Sequence, residues 1–201
     1  SDTQTHCRGA ENYRRSGVVD AMRIPKDGFF AQQVMWDGWV DDLKPRTYIV
    51  GMWNYKVGEV IPRIYVISNS DSVELTVNGK PINIKAKHQY RFLYEFDMVP
   101  YEAGTLKAVG YNAHGIEQSN YSIETAGDPD HLLLTKLENP LGWKADGADV
   151  ALVQVEVVDK QGRRCPLDNR TVRFSLCGEG EWRGGIAQGK DNYVLSDSLA
   201  V

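Results

Sequence analysis

The sequence predicts a mostly β protein: two β-sandwiches behind a short irregular piece that carries one helix. Three observations predict it. From Thr47 onward apolar residues recur at every second position, the period of a half-buried strand. Asn78-Gly79 sits between two such runs, and a type I′ turn needs positive φ at both central residues, which this dipeptide tolerates. A helix-start signal occurs ahead of Thr47, and no second helical layer follows it. At 201 residues the chain has room for two ordinary domains with a piece in front.

Residues 1–38 join the polar stretch SDTQTHCRGAENYRRSG to the helical segment. Ile24-Pro25 is expected to open the helix, because proline is tolerated at a first helical position where its missing N–H has no partner to lose. Phe30 with Val34, and Ala31 with Met35, recur four apart and form one apolar stripe. A single helix of about 12 residues is marginal in water and needs a surface for that stripe. With only sandwiches downstream, the helix reads as the end of something larger. Residues 39–46, WVDDLKPR, read as a linker, since Pro45 and the Asp pair interrupt any period.

Residues 47–127 form the first sandwich. TYIVGMW and VIPRIYVIS are β-branched and aromatic runs, and Val73, Leu75 and Val77 alternate with polar residues up to the Asn78-Gly79 turn. Tyr90, Phe92, Tyr94 and Phe96 alternate in turn, then comes the loop VPYEAG, the strand TLKAVGYN, a turn at His114-Gly115 and a return strand near YSIET. Six or seven short strands at this spacing predict an immunoglobulin-like or fibronectin-like sandwich. Residues 128–201 form a second one, entered through AGDPDH. There Val153, Val155 and Val157 alternate up to a turn over Asp159–Gly162, and Val172, Phe174 and Leu176 alternate after it. Only four or five strands fit before Val201, so this sandwich is expected to be small or truncated, with an unpaired edge.

Hydrophobic content of 42% is that of a chain able to fill a core, which argues against disorder. A net charge of −4 without any basic run interleaved with aromatics argues against a nucleic-acid partner. No run approaches the roughly 18 apolar residues of a membrane span. The chain does not begin with Met, which suggests a fragment.

The motifs of several chemistries are missing. No GxSxG elbow or GxxxxGK[ST] phosphate loop occurs, and the glycine cluster EGEWRGGIAQG follows a strand, so it reads as a turn or bulge plugged by Trp182. His6, His88, His114 and His131 have no metal-ligand spacing, so no metal is expected. Cys7, Cys165 and Cys177 are odd in number and form no CxxC pair; unpaired thiols and a Cys165–Cys177 disulfide both stay open. Glycoside chemistry needs two carboxylates held roughly 5–9.5 Å apart. No acidic pair here has the spacing for it, and Asp71, Asp128, Asp130 and Asp159 read as caps and solvated corners of turns. Most of the five tryptophans read as core or inter-domain plugs; Trp36, at the end of the helix beside the polar stretch, is kept as a sugar-stacking candidate.

Taken together, SGVVD, the Arg23-Ile24-Pro25-Lys26 motif and the helix ending at Trp36 resemble the last loop and last helix of the (β/α)8 barrel of glycoside hydrolase family 2, the family of β-galactosidases, β-glucuronidases and β-mannosidases. YIVGMWNYKVGEVIPRIYVISNSDSVELTVNGKPI resembles the immunoglobulin-like domain that follows the barrel, through its W-N-x-x-x-G, S-N and V-E-L-x-x-N-G-K signposts. YEAGTLKAVGYN and ETAG match its closing strands, and ADGADVALVQVEVVDKQGRRCP with VRFSLCGEGEWRGG is similar to a further C-terminal sandwich. In place of that sandwich's usual Asn-Gly-Asp stretch stands Gln188-Gly189-Lys190-Asp191-Asn192.

The resemblance implies a mostly β, non-catalytic C-terminal region of a retaining glycosidase of the β-galactosidase type: the tail of the barrel, then two immunoglobulin-like sandwiches. In the family the acid/base glutamate follows an asparagine on the fourth barrel strand and the nucleophile lies on the seventh; no Asn-Glu dipeptide occurs here, so no catalytic residue is assigned. The implied partners are an upstream catalytic barrel of the same polypeptide and, through it, a carbohydrate. No cofactor is implied, and the implied location is the periplasm or cell surface. Asp2, Thr5, His6 and Arg8 would lie on the loop after the eighth barrel strand, at the catalytic face, within reach of sugar hydroxyls, with Trp36 near them. The alternative is a carbohydrate-binding or cell-surface adhesion module of tandem immunoglobulin-like domains.

Overall fold

The structure, a computed structural model, describes residues 17–20, 22–40, 44–137, 139, 141–186 and 194–195. A closed turn leads into the helix. Val19 bridges Pro25, the Lys26 N–H reaches the Val18 carbonyl at 3.0 Å, and the buried Asp20 carboxylate accepts the Ile24 N–H at 2.8 Å. Arg23 takes φ of 68° at the tip, a conformation that costs a non-glycine residue about 1–2 kcal/mol and is held by these bonds. Pro25 is therefore not the first helical residue as expected. It belongs to the bridge, and helix α1 spans Asp27–Val40, opening with an acidic residue against the positive end of its dipole.

The helix also has a partner after all. Asp27, Phe30, Val34 and Gly38 fall at i, i+3, i+7 and i+11, one face, and that face lies on the first sandwich. Phe30 stacks on Tyr48 with ring centroids 5.0 Å apart, and Val34 is buried. At Gly38 the approach is so close that a Cβ would lie 2.7 Å from Phe92 Cε1 and 2.8 Å from Asn69 Cβ, so only glycine fits without a shift. Past the helix, Arg46 pairs with Asp37, and Asn69 braces the chain by accepting the Arg46 N–H at 2.7 Å and donating to the Lys44 carbonyl at 3.1 Å.

Eight strands make the sandwich, in two antiparallel sheets. The first holds β1 (Thr47–Ile49), β2 (Val60–Ser68), β5 (Lys87–Tyr90) and β6 (Leu93–Pro100) in the order β1-β2-β6-β5. The second holds β3 (Ser72–Val77), β4 (Lys80–Pro81), β7 (Thr105–Tyr111) and β8 (Glu117–Glu124) in the order β4-β3-β7-β8. Inward residues meet in register: Ile64 opposite Phe96, Val66 opposite Tyr94, Leu75 opposite Ala108 and Val77 opposite Leu106. Each large apolar side chain buried there contributes about 1.5–3 kcal/mol. Polar tips inside the core are satisfied, Trp53 Nε1 donating to the Glu102 carbonyl at 3.0 Å and Tyr94 Oη to the Ser70 carbonyl at 2.6 Å.

The Asn78-Gly79 turn forms as read, with φ of 51° and 76°, and Asn78 does more than turn the chain. Its side chain accepts the Thr105 N–H at 2.9 Å and donates to the Ala103 carbonyl at 3.0 Å, pinning the start of β7. Tyr90 departs from the expected single alternating strand. It ends β5 and faces Leu93 across the two-residue turn Arg91-Phe92, leaving it 66% exposed while Phe92 is buried. Strands β2 and β6 carry a matched irregularity: Ile61 and Ile64 both point inward, as do Val99 and Phe96 opposite them, so both strands change phase at the level of Pro62 and Met98, the latter at φ of 55°.

The second β-unit begins with a strand that alternation did not reveal. β9 (His131–Lys136) pairs antiparallel with β10 (Val153–Val158), Leu132 opposite Val157 and Leu134 opposite Val155. β11 (Gly185–Ile186) pairs with β12 (Val194–Leu195). The strand expected over Val172, Phe174 and Leu176 does not form; Arg173 makes an isolated bridge, Leu176 is exposed, and Phe174 stacks instead on Trp182 at 5.1 Å. Alternation gives a strand its two faces but not the neighbour that pairs its backbone. Cys165 and Cys177 are both free thiols, and Cys7 lies outside the described residues.

Candidate docking face on the helix

α1 has a second face. Phe29 and Trp36, seven residues apart and so two turns along one line, point away from the sandwich and are 37% and 66% exposed. Gln32 lies between them, also exposed. The helix thus carries large apolar side chains on opposite sides, the pattern of a helix covered on both. The expected single stripe accounts for Phe30 and Val34 only. The sequence signal for the other was present in the spacing of Phe29 and Trp36.

The carboxylates around this face are engaged. Asp20 is buried in its turn, Asp27 accepts the Tyr48 hydroxyl at 2.6 Å, and Asp37 holds Arg46. Burial first, then the hydrogen bond to Asp27 and its charge, push the Tyr48 phenol well above its ordinary range, so it stays a donor. No two carboxylates near the helix stand free to work as acid and nucleophile, among the described residues. No group of three His, Cys, Asp or Glu side chains could hold a metal ion among them either.

Elsewhere on the sandwich a cleft of about 320 Å³ opens where the chain leaves β4, lined by Glu74, Ile82, Asn83, Lys85, His88 and Tyr94 among others. Two of its polar groups are partnered within the sandwich: Glu74 accepts the Tyr111 hydroxyl at 3.1 Å, and His88 stacks on Tyr94 at 4.1 Å and bonds the Arg91 carbonyl at 3.0 Å. The expected site residues Asp2, Thr5, His6 and Arg8 lie outside the described residues. Trp36 is described, and the structure places it on the outer face of α1, ten positions along a helix of 14 residues. Among the described residues the arrangement is suited to covering a large apolar surface, and it brings together no reacting pair.

No helix among the described residues is long and apolar enough to cross a membrane. Two family models match, a domain of unknown function over residues 58–118 and the glycoside hydrolase family 2 C-terminal domain 5 over residues 139–197. A β-glucuronidase of Formosa agariphila is 44% identical over 179 residues, 89% of this chain and 18% of the relative. A β-galactosidase of Bacteroides ovatus is 33% identical over 164 residues, 82% of this chain and again 18% of the relative. The solved structure of a β-glucuronidase from glycoside hydrolase family 2 superposes with a TM-score of 0.83 at 42% identity, covering 94% of this chain and 19% of that one. The chain therefore spans about a fifth of the length of the proteins it matches. From the closing domain outward, these matches make the chain a C-terminal portion of a glycoside hydrolase family 2 protein.

Proposed function

We propose that this chain is the non-catalytic C-terminal brace of a retaining glycoside hydrolase acting on β-glycosides, and that α1 is the wedge between its catalytic barrel and its first sandwich. The observation that carries this is the two-faced helix: Phe30, Val34 and Gly38 lie on the sandwich, while Phe29 and Trp36 lie on the opposite side and stay exposed among the described residues. Burying Trp36 on a barrel would contribute about 1.5–3 kcal/mol, and Phe29, already mostly covered, would add less. The matches to β-glucuronidases and a β-galactosidase support the β-glycoside class.

In a (β/α)8 barrel the active site lies at the C-terminal ends of the strands, the rim from which each following helix starts. Asp27 opens α1, so Trp36, nine residues on, falls about 14 Å below that rim at 1.5 Å per residue. Trp36 is then a docking residue on the barrel's side. Asp2, Thr5, His6 and Arg8 precede the helix and keep the rim position from which sugar hydroxyls are reached.

The test has two arms. The isolated 201-residue chain is expected not to hydrolyse a chromogenic β-glucuronide or β-galactoside. In the full-length polypeptide, the double substitution Phe29→Ser with Trp36→Ser is expected to shorten the half-life of activity on heating, and Ala at Asp2 or His6 to raise KM or lower kcat. Turnover by the isolated chain, or an unchanged half-life in the double variant, overturns the reading.

A further inference from the structure

The passage from the first β-unit to the second, AGDPDH, reads as a hinge, but its bonds are those of a fixed joint. Asp159, at the end of β10, is 1% exposed although it is a turn carboxylate expected to be solvated. Four donors surround it. Oδ1 accepts the N–H groups of Gln161 and Arg163, both at 2.9 Å; Oδ2 accepts Arg163 Nε at 2.8 Å and, from across the junction, the Gly127 N–H at 2.8 Å. A carboxylate has about four acceptor sites, so this one is full.

The same residues reach over the junction twice more. Arg163 Nη1 lies 3.4 Å from Glu124 Oε2 at the end of β8, and Cys165 Sγ lies 3.7 Å from the Gly127 carbonyl. On its other side the segment is fastened to the first unit. Asn54 brackets Ala126, its amide N–H donating to the Ala126 carbonyl at 3.3 Å and its oxygen accepting the Ala126 N–H at 3.4 Å, while the Thr125 hydroxyl donates to the Trp53 carbonyl at 2.7 Å. Residues 124–127 are thus held from both sides, with a buried charge at the centre.

We infer that Asp159 and Arg163 lock the second β-unit at one angle to the first, so that the two move as a single body. A buried carboxylate filled by four donors does not exchange partners with water at low cost, so the joint has one arrangement rather than a range.

Backbone ¹⁵N relaxation on the full 201-residue chain tests this. One rotational correlation time is expected for the strands of both units in the unaltered chain. In Asp159→Asn, whose amide nitrogen would confront N–H donors, the value is expected to split in two, the smaller unit tumbling faster. Two values in the unaltered chain, or one value in Asp159→Asn with the amide dispersion of β9 and β10 retained, overturns the inference. If Asp159→Asn loses that dispersion, Arg163→Met decides: it keeps the Gly127 bond and removes the guanidinium, and a single unchanged correlation time in it overturns the inference while a split supports it.

Discussion

Tyr48 donates its phenolic proton to Asp27 at 2.6 Å while its ring stacks on Phe30 at 5.0 Å, so one side chain of β1 holds the first turn of α1 by both a polar and an apolar contact. The two contacts can be separated experimentally.

Tyr48→Phe keeps the ring on Phe30 and Tyr121 and removes the bond to the carboxylate. A hydrogen bond to a charged group contributes about 1.5–3 kcal/mol, and Asp27 is exposed, so a loss of about 1.5 kcal/mol is expected. Amide hydrogen exchange along α1 should speed up more than exchange in β2 and β6. Equal changes in all three would mean that the bond does not hold the helix.

Alkaline pH should weaken the sandwich. Burial, then the nearby charge of Asp71, pushes the Tyr94 phenol up to about 12, against an ordinary value near 10. Below pH ~10 folded and unfolded chains hold the same proton, so nothing changes. Between the ordinary value and about 12 the unfolded chain releases a proton that the folded one keeps, so stability falls as pH rises. Urea midpoints should decline over that window, and Tyr94→Phe should flatten the decline.

Gly38→Ala sets two effects against each other. Alanine is better than glycine inside a helix by about 0.8–1 kcal/mol, but the new Cβ would meet the Phe92 ring at 2.7 Å and Asn69 Cβ at 2.8 Å. Overpacking of that kind costs about 1–3 kcal/mol, and Phe92 is buried and cannot swing into water, so the clash should win. A lower Tm is expected; a higher one would show that α1 can slide without loss.

Asn78→Ala removes a positive-φ residue of the hairpin and both of its bonds to the start of β7. Strain and lost hydrogen bonds together should cost about 1–3 kcal/mol. Asn78→Gly restores the turn without the bonds, so the difference between the two variants in chemical denaturation reads the turn strain less the extra unfolded-chain entropy that glycine brings.

The first sandwich was legible because each of its strands has one wet face, which writes period two into the residues, and Asn78-Gly79 marks its hairpin directly. The misses have physical causes. Leu132, Leu133 and Leu134 in β9 are apolar on both faces and so carry no period. Val172, Phe174 and Leu176 carry one but have no paired neighbour among the described residues. Asp159 looked like any turn aspartate because the donor that buries it, Gly127, lies 32 positions away in the chain. Trp36 stood out as an unusual tryptophan, yet which side of α1 it occupies became clear only once Phe30 was seen against Tyr48.

The matched change of phase at Pro62 and Met98 makes these two strands interdependent in length. Removing one residue from β2 at that level would turn Ile64 and Val66 outward while Phe96 and Tyr94 still faced in, leaving half the pair inside out. Only a compensating removal beside Met98 would restore the match, so a homologue that is shorter in one strand here should be shorter in both.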